Sequence, residues 1–259
     1  MALHDAAGGV ADALSWTATR AGVAKNRSPD VTVGGAVVDH DKVPLVTGTA
    51  PRLSPGTHAD GMAYEGVGGL VPARAPLAGE LVISQLATRG LASASDEFVE
   101  LYNPTDALLA IGGTRLQYQP STCTGWTDRY VVPGGVELRP GQFYLVTGSG
   151  YVVPGSGPAG EGALTSGIAD AGLLRLSSGA TTLDTTAYGA GLACFGEGAS
   201  AAPGHGTTAN GKSVARLPYS AGTPFSPLTP VQDTDVNSVD FAVRATRAPR
   251  NGAVITPSR

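Results

Sequence analysis

Asp96-Glu97-Phe98-Val99-Glu100-Leu101-Tyr102-Asn103-Pro104-Thr105-Asp106 is the stretch on which the fold turns. Phe98 to Tyr102 are β-prone, and side chains alternate along an extended chain, so Val99 and Leu101 fall on one face and Glu100 on the other. Asn103-Pro104 closes the strand, because proline cannot donate to the next rung. Upstream, Leu81-Val82-Ile83-Ser84-Gln85-Leu86 reads as a partner strand, separated by a loop through Gly90 to Ser95. Downstream, short β-prone runs recur at Leu116 to Tyr118, Tyr130 to Val132, Phe143 to Val146, Leu173 to Leu176, Thr182 to Tyr188, Ser213 to Arg216 and Val239 to Val243. Roughly nine short strands without intervening helical patterns point to an antiparallel sandwich and away from βα alternation.

Composition points the same way. Among 259 residues, 37 are Gly and 19 are Pro, a surplus that suits many turns joining short strands. Hydrophobic residues at 42% supply a core, and a charged fraction of 15% is too low for a chain dominated by disorder. The formal charge of −4, with no long run of Lys or Arg, offers no broad positive field for a phosphate backbone, so nucleic acid is a disfavoured partner. No stretch of eighteen or more apolar residues is present, so no membrane span is expected. Met1-Ala2-Leu3-His4-Asp5 lacks the basic and apolar regions of a signal peptide. The chain is then either cytoplasmic or a piece of a longer exported protein.

Four segments follow from these patterns. Residues 1–49 form an irregular N-terminal extension, with a helix expected from about Ala11 to Ala24 and strands at Val31 to Val33 and Ala36 to Val38. Gly8 to Trp16 echoes Gly179 to Tyr188, so this extension is either the back half of an earlier copy of the same domain or a chance likeness in Ala/Gly-rich sequence. Residues 50–77, rich in Pro, Gly and Ala, read as a linker. Residues 78–252 carry the sandwich, and 253–259 a tail.

Several of these blocks resemble the lamin-tail family, an immunoglobulin-like β-sandwich. Gly79 to Leu86 is similar to its first strand, and Asp96 to Asp106 is the most specific match. Leu138-Arg139-Pro140-Gly141-Gln142-Phe143-Tyr144-Leu145-Val146 resembles the family's turn and strand, and Gly211 to Pro218, Asp233 to Phe241 and Ala248 to Gly252 its later signatures. Gly113-Thr114 departs from the Gly-Trp pair usual in the family. The resemblance implies an interaction module without a catalytic site or cofactor, in bacteria commonly part of an exported multidomain protein.

Candidate sites are few. Cys123 and Cys194 lie in Gly- and Thr-rich connections, which favours a disulfide; two unrelated free thiols are the alternative. No His neighbours either Cys in sequence, as a catalytic thiol would need. Asp233, Asp235 and Asn237 alternate oxygen-bearing side chains as calcium loops do, but Ser238 replaces the turn glycine and the twelfth position is not Glu, so a solvated acidic turn is the preferred reading. Asp39, His40, Asp41, His58 and Asp60 carry zinc-ligand chemistry without regular spacing. Ser149 and Ser156 sit between glycines but not in a nucleophile elbow. The region from Gln119 to Gly160 concentrates Trp126, Tyr130, Tyr144 and Tyr151, of which Tyr144 belongs to a strand and the other three are candidates for holding a protein or glycan surface.

The resulting expectation is a non-catalytic adhesion or enzyme-targeting module located outside the cell or on its surface. A part of a secreted hydrolase or nuclease, and a nucleic-acid-binding module, are the alternatives.

Overall fold

The computed structural model describes residues 2–4, 10–13, 25–28, 36–42, 73–155, 157–217 and 231–254. The chain divides into two units, Met1–Val71 and Pro72–Arg259. In the first, β1 (Ala2–His4) pairs antiparallel with β2 (Val10–Ala13), and β3 (Lys25–Ser28) with β4 (Ala36–Asp39), which runs into a 3-10 turn at His40–Lys42. The expected helix is corrected at its start, since Ala11, Asp12 and Ala13 are paired strand. Residues 14–24, Val31 to Val33, His58 and Asp60 lie outside the described residues.

The second unit is nearly all β. Its strands are β5 (Val82–Ala87), β6 (Phe98–Tyr102), β7 (Leu109–Ala110), β8 (Arg115–Pro120), β9 (Thr127–Val131), β10 (Glu137–Leu138), β11 (Phe143–Thr147), β12 (Gly162–Ala163), β13 (Gly172–Ser178), β14 (Thr181–Tyr188), β15 (Ser213–Arg216) and β16 (Phe241–Arg244). One sheet runs β12-β11-β6-β5-β15-β16 and the other β14-β13-β8-β9. Every pairing in them is antiparallel except β11 with β12. All nine predicted strands are present, with the last one shortened. Val239 and Asp240 belong to a single helical turn, α1 (Asn237–Asp240), and the strand starts at Phe241.

Alternation sets the core. Ile83, Leu86, Val99, Leu101, Tyr144, Val146 and Val214 point from one sheet at Leu116, Tyr118, Leu174, Leu176 and Leu183 of the other. Each fully buried aliphatic side chain contributes about 1.5–3 kcal/mol relative to exposure. Ile83 and Leu86 are three residues apart yet share this face, because the pairing with β6 slips between Ile83 and Gln85, and such a bulge inverts strand parity. Thr114, which follows Gly113, is fully buried, and its hydroxyl has no hydrogen-bond partner among the described residues.

The other face of the six-stranded sheet is also covered. Phe98, Glu100 and Tyr102 are buried there, Phe98 with Tyr151, Tyr102 with Phe143 and Val231, and Glu100 beneath Arg250, so the Glu100 face is not a solvent face. Arg250 donates to Glu100 through its backbone N–H and guanidinium, and Arg247 Nη2 donates to Asp96 Oδ2 at 2.7 Å. Ala248 O accepts from Gln85 Nε2 at 3.0 Å, and Gly252 O from Gln142 Nε2 at 2.7 Å. Buried charges need such partners, since an unpaired one costs several kcal/mol.

Gly90 marks the closest approach in this strap. A Cβ there would lie 1.9 Å from Asp96 Oδ2 and 2.5 Å from Arg247 Nη1. Gly90→Ala is therefore expected to break the Asp96–Arg247 pair and cost about 2 kcal/mol, read as a lowered urea midpoint. A midpoint equal to the parent's would contradict this packing.

Candidate functional site

The turn after β8 is held by a disulfide between Cys123 and Cys194, whose Cα atoms are 6.2 Å apart, and Ala193 N–H donates to Ser121 O at 2.8 Å. The loop that follows β14 is thereby tied to the turn that carries Trp126 into β9. Gly125 precedes that ring with φ of +126°, a conformation that L side chains rarely adopt.

Trp126 leads onto the outer face of the four-stranded sheet. The Arg175 guanidinium lies 4.3 Å from its ring centroid, and donates through Nε and Nη2 to Gln117 Oε1 at 2.9 and 2.7 Å. Ser177 Oγ donates to the same oxygen at 3.1 Å. Gln117 Nε2 in turn donates to Asp128 Oδ1 at 2.8 Å, and Arg115 reaches Asp128 Oδ2. Register places these groups in a row, with Arg175 opposite Gln117 and Gln117 opposite Asp128. The result is an indole, a guanidinium, an amide and a carboxylate displayed across three rigid strands. A cleft of about 370 Å³ beside the row is lined by Arg115, Gln117, Arg175, Ser177, Gly179 and Thr182, among others. Burial lowers the Arg175 pKa from its ordinary value. With two guanidinium groups to one carboxylate, this patch is weakly positive.

The other two candidate rings go elsewhere. Tyr130 stacks on Tyr144 with centroids 6.2 Å apart, and their hydroxyls are 2.7 Å apart. Tyr151 packs edge-on against Phe98 at 6.2 Å and donates from its hydroxyl to Pro158 O at 3.1 Å. Both rings are half-buried in these contacts, whereas Trp126 joins the polar row. Sequence reasoning named Trp126 without Arg175, Gln117, Arg115 or Asp128. The alternation in Leu116-Gln117-Tyr118 and Leu174-Arg175-Leu176 already sets Gln117 and Arg175 on one outward face.

A second site surrounds the acidic turn. Carboxyl oxygens of Glu197, Asp233 and Asp235 lie within 4.8 Å of one another, which is oxygen-rich chemistry of the kind calcium takes. This cluster differs by one member from Asp233, Asp235 and Asn237, the set weighed against an acidic turn. Asn237 is fully buried and its Nδ2 donates to Thr185 O at 3.1 Å and Glu197 O at 3.3 Å, while Glu197 takes the third place. Two features favour a structural role. Asp233 accepts from Arg216 Nη1 at 2.9 Å, and burial, followed by repulsion from Asp184, pushes the Glu197 carboxyl up to about 8. Glu197 Oε1 accepts from Thr185 N–H at 2.7 Å, so Glu197 and Asn237 satisfy both outward backbone groups of Thr185 on the β14 edge. Asp39 and Asp41 flank His40 at the end of β4 in the other unit.

Residues 74–190 match the family model described as Lamin Tail Domain. The matched span begins at the β-bridge of Arg74 with Leu109 and ends just after β14. It contains the whole four-stranded sheet, whereas β15 and β16, which complete the other sheet, lie beyond it. None of the curated proteins compared with the chain matches it.

Proposed function

We propose that the chain, whose residues 74–190 match the lamin-tail family model, is a non-catalytic interaction module of an exported multidomain protein, and that it recognises a hydroxyl-rich glycan surface through the Trp126 face. The observation that carries this reading is the row Trp126-Arg175-Gln117-Asp128 on the outer face of a sheet whose inner face is filled by apolar side chains. Aromatic and guanidinium planes offer stacking surfaces for sugar rings, and the amide, carboxylate and Ser177 hydroxyl offer donors and acceptors in fixed positions. The Cys123–Cys194 bridge supports an oxidising compartment, where disulfides persist. Among the described residues, no helix is long and apolar enough to cross a membrane.

Binding to immobilised glycans and to insoluble polysaccharides tests the assignment. Trp126→Ala is expected to weaken retention at least tenfold, about 1.4 kcal/mol or more, with little change in the thermal midpoint. Retention unchanged in that variant would remove the face from consideration. Turnover of a bound glycan by the chain alone would overturn the non-catalytic reading.

A further inference from the structure

Glu97 immediately precedes β6 and is buried, at 3% exposure. Its Oε1 accepts the Ile168 N–H at 3.0 Å, and Oε2 receives no hydrogen bond among the described residues. The carboxyl lines a cleft of about 300 Å³, together with Ser95, Ser149, Thr165, Ser166 and the glycines 148 and 167. Those glycines keep the oxygens accessible: a Cβ on Gly167 would lie 3.0 Å from both of them, and one on Gly148 3.0 Å from Oε2.

A buried carboxylate with one donor lacks most of its compensation. The charged groups around it are Arg129, Arg89 and Asp170, with the Tyr118 and Tyr188 hydroxyls beside them. Arg129 is engaged with Gly167 O at 3.1 Å, Thr127 Oγ1 at 2.7 Å and the Tyr118 ring, and Arg89 with both oxygens of Asp170. Neither guanidinium donates to Glu97. Burial consequently holds the carboxyl up to about 7.

The geometry points to this cleft as a binding site for a primary ammonium group, such as a lysine side chain of a partner or a small alkylamine, with Glu97 as its counter-charge. An ammonium is compact and carries three donors, which match Glu97 Oε2 and the hydroxyl oxygens on the rim. A sugar ring would find no aromatic platform among the lining residues, and a divalent cation would find one carboxylate where it needs several. This site shares no lining residue with the Trp126 cleft, so the two assignments stand or fall separately.

Amide NMR titration of the intact chain with n-propylammonium chloride, and with Nα-acetyl-lysine methylamide, tests the site. Saturable shifts are expected at Gly148, Ser149 and residues 165–167 at pH 8, with n-propanol inert. Affinity is expected to fall about tenfold for each pH unit below about 7, as the carboxyl takes up a proton. Glu97→Gln preserves an acceptor for Ile168 and should weaken binding at least tenfold. Gly167→Ala keeps the carboxylate, sets a methyl against it and should do the same, which covers a failure of the first variant to fold. Trp126→Ala should leave the affinity unchanged. Absence of saturable shifts, or equal affinity in parent and both variants, would overturn the proposal.

Discussion

Arg216→Met is expected to bring the domain close to unfolding under conditions where the parent is stable. Arg216 is fully buried, and donates to Ile83 O at 2.8 Å, Asp184 Oδ1 at 2.8 Å, Asp233 Oδ1 at 2.9 Å and Asp240 Oδ2 at 3.2 Å, with its guanidinium 4.6 Å from the Phe241 ring centroid. Methionine approximates the stem and removes the charge. Asp184 and Asp240, both at least 98% buried, would be left without their cation. Deleting one partner of a buried ionic network costs about 3–5 kcal/mol, against a total stability of about 5–15 kcal/mol for a typical domain. Urea denaturation at pH 7 measures the loss directly.

Acidity supplies a second arm with a definite sign. Burial already raises the Asp184 carboxyl despite Arg216, whereas Asp240 is held below its ordinary value by hydrogen bonds from Thr234 and Gln232 and by Arg216, against the opposing effect of burial. Removing the guanidinium moves both carboxyls upward. A raised carboxyl contributes stability that is present at low pH and lost as pH rises through its folded value. The gap between Arg216→Met and the parent should therefore narrow from pH 7 to pH 5. A loss below 1 kcal/mol, or a gap that widens with acid, would refute the network's role.

Loss of the Cys123–Cys194 bridge is expected to have the other large effect. The bridge spans a sequence separation of 71, and in the chain-entropy account, closing a loop of that length stabilises the fold by about 4 kcal/mol, less any native strain. The double variant Cys123→Ser/Cys194→Ser, compared with the oxidised parent in urea, reads this quantity. Local consequences should accompany it: the Ala193 amide, bonded to Ser121 O, should exchange faster, and glycan retention through Trp126 should weaken. Equal midpoints for parent and variant would show that the bridge adds nothing to the fold.

Much of the sandwich was readable because its strands are amphipathic in the simplest way. Leu116-Gln117-Tyr118 and Leu173-Leu174-Arg175-Leu176 alternate, and strand boundaries at Asn103-Pro104 and Pro140-Gly141 are written in residues that cannot continue a ladder. The start of the last strand was misplaced because local hydrogen bonding there outweighs β-propensity. Asp240 accepts from Thr234 N–H, Thr234 Oγ1 and Gln232 Nε2, which coils Asn237–Asp240 into one turn before β16 can begin. Asn237 is likewise placed by distant partners, its amide being taken by Thr185 O and Glu197 O, residues 52 and 40 positions away.

The candidate face was half legible for a similar reason. Trp126 stands out in composition, but its value as a recognition group depends on Arg175, 49 positions later, lying across the ring. Tyr130 and Tyr151 stand out equally in sequence and pack against Tyr144 and Phe98.

Periodicity and turn chemistry, being properties of neighbouring residues, were enough to specify an antiparallel sandwich and to put Val99 and Leu101 on one face of β6. Partner choice among charged groups was not: Glu100 meets Arg250 and Asp184 meets Arg216, whereas among the described residues Glu97 pairs with no guanidinium. Pairings across tens of residues depend on which strands become neighbours and on how much water each carboxyl loses, and both quantities exist only once the two sheets have packed.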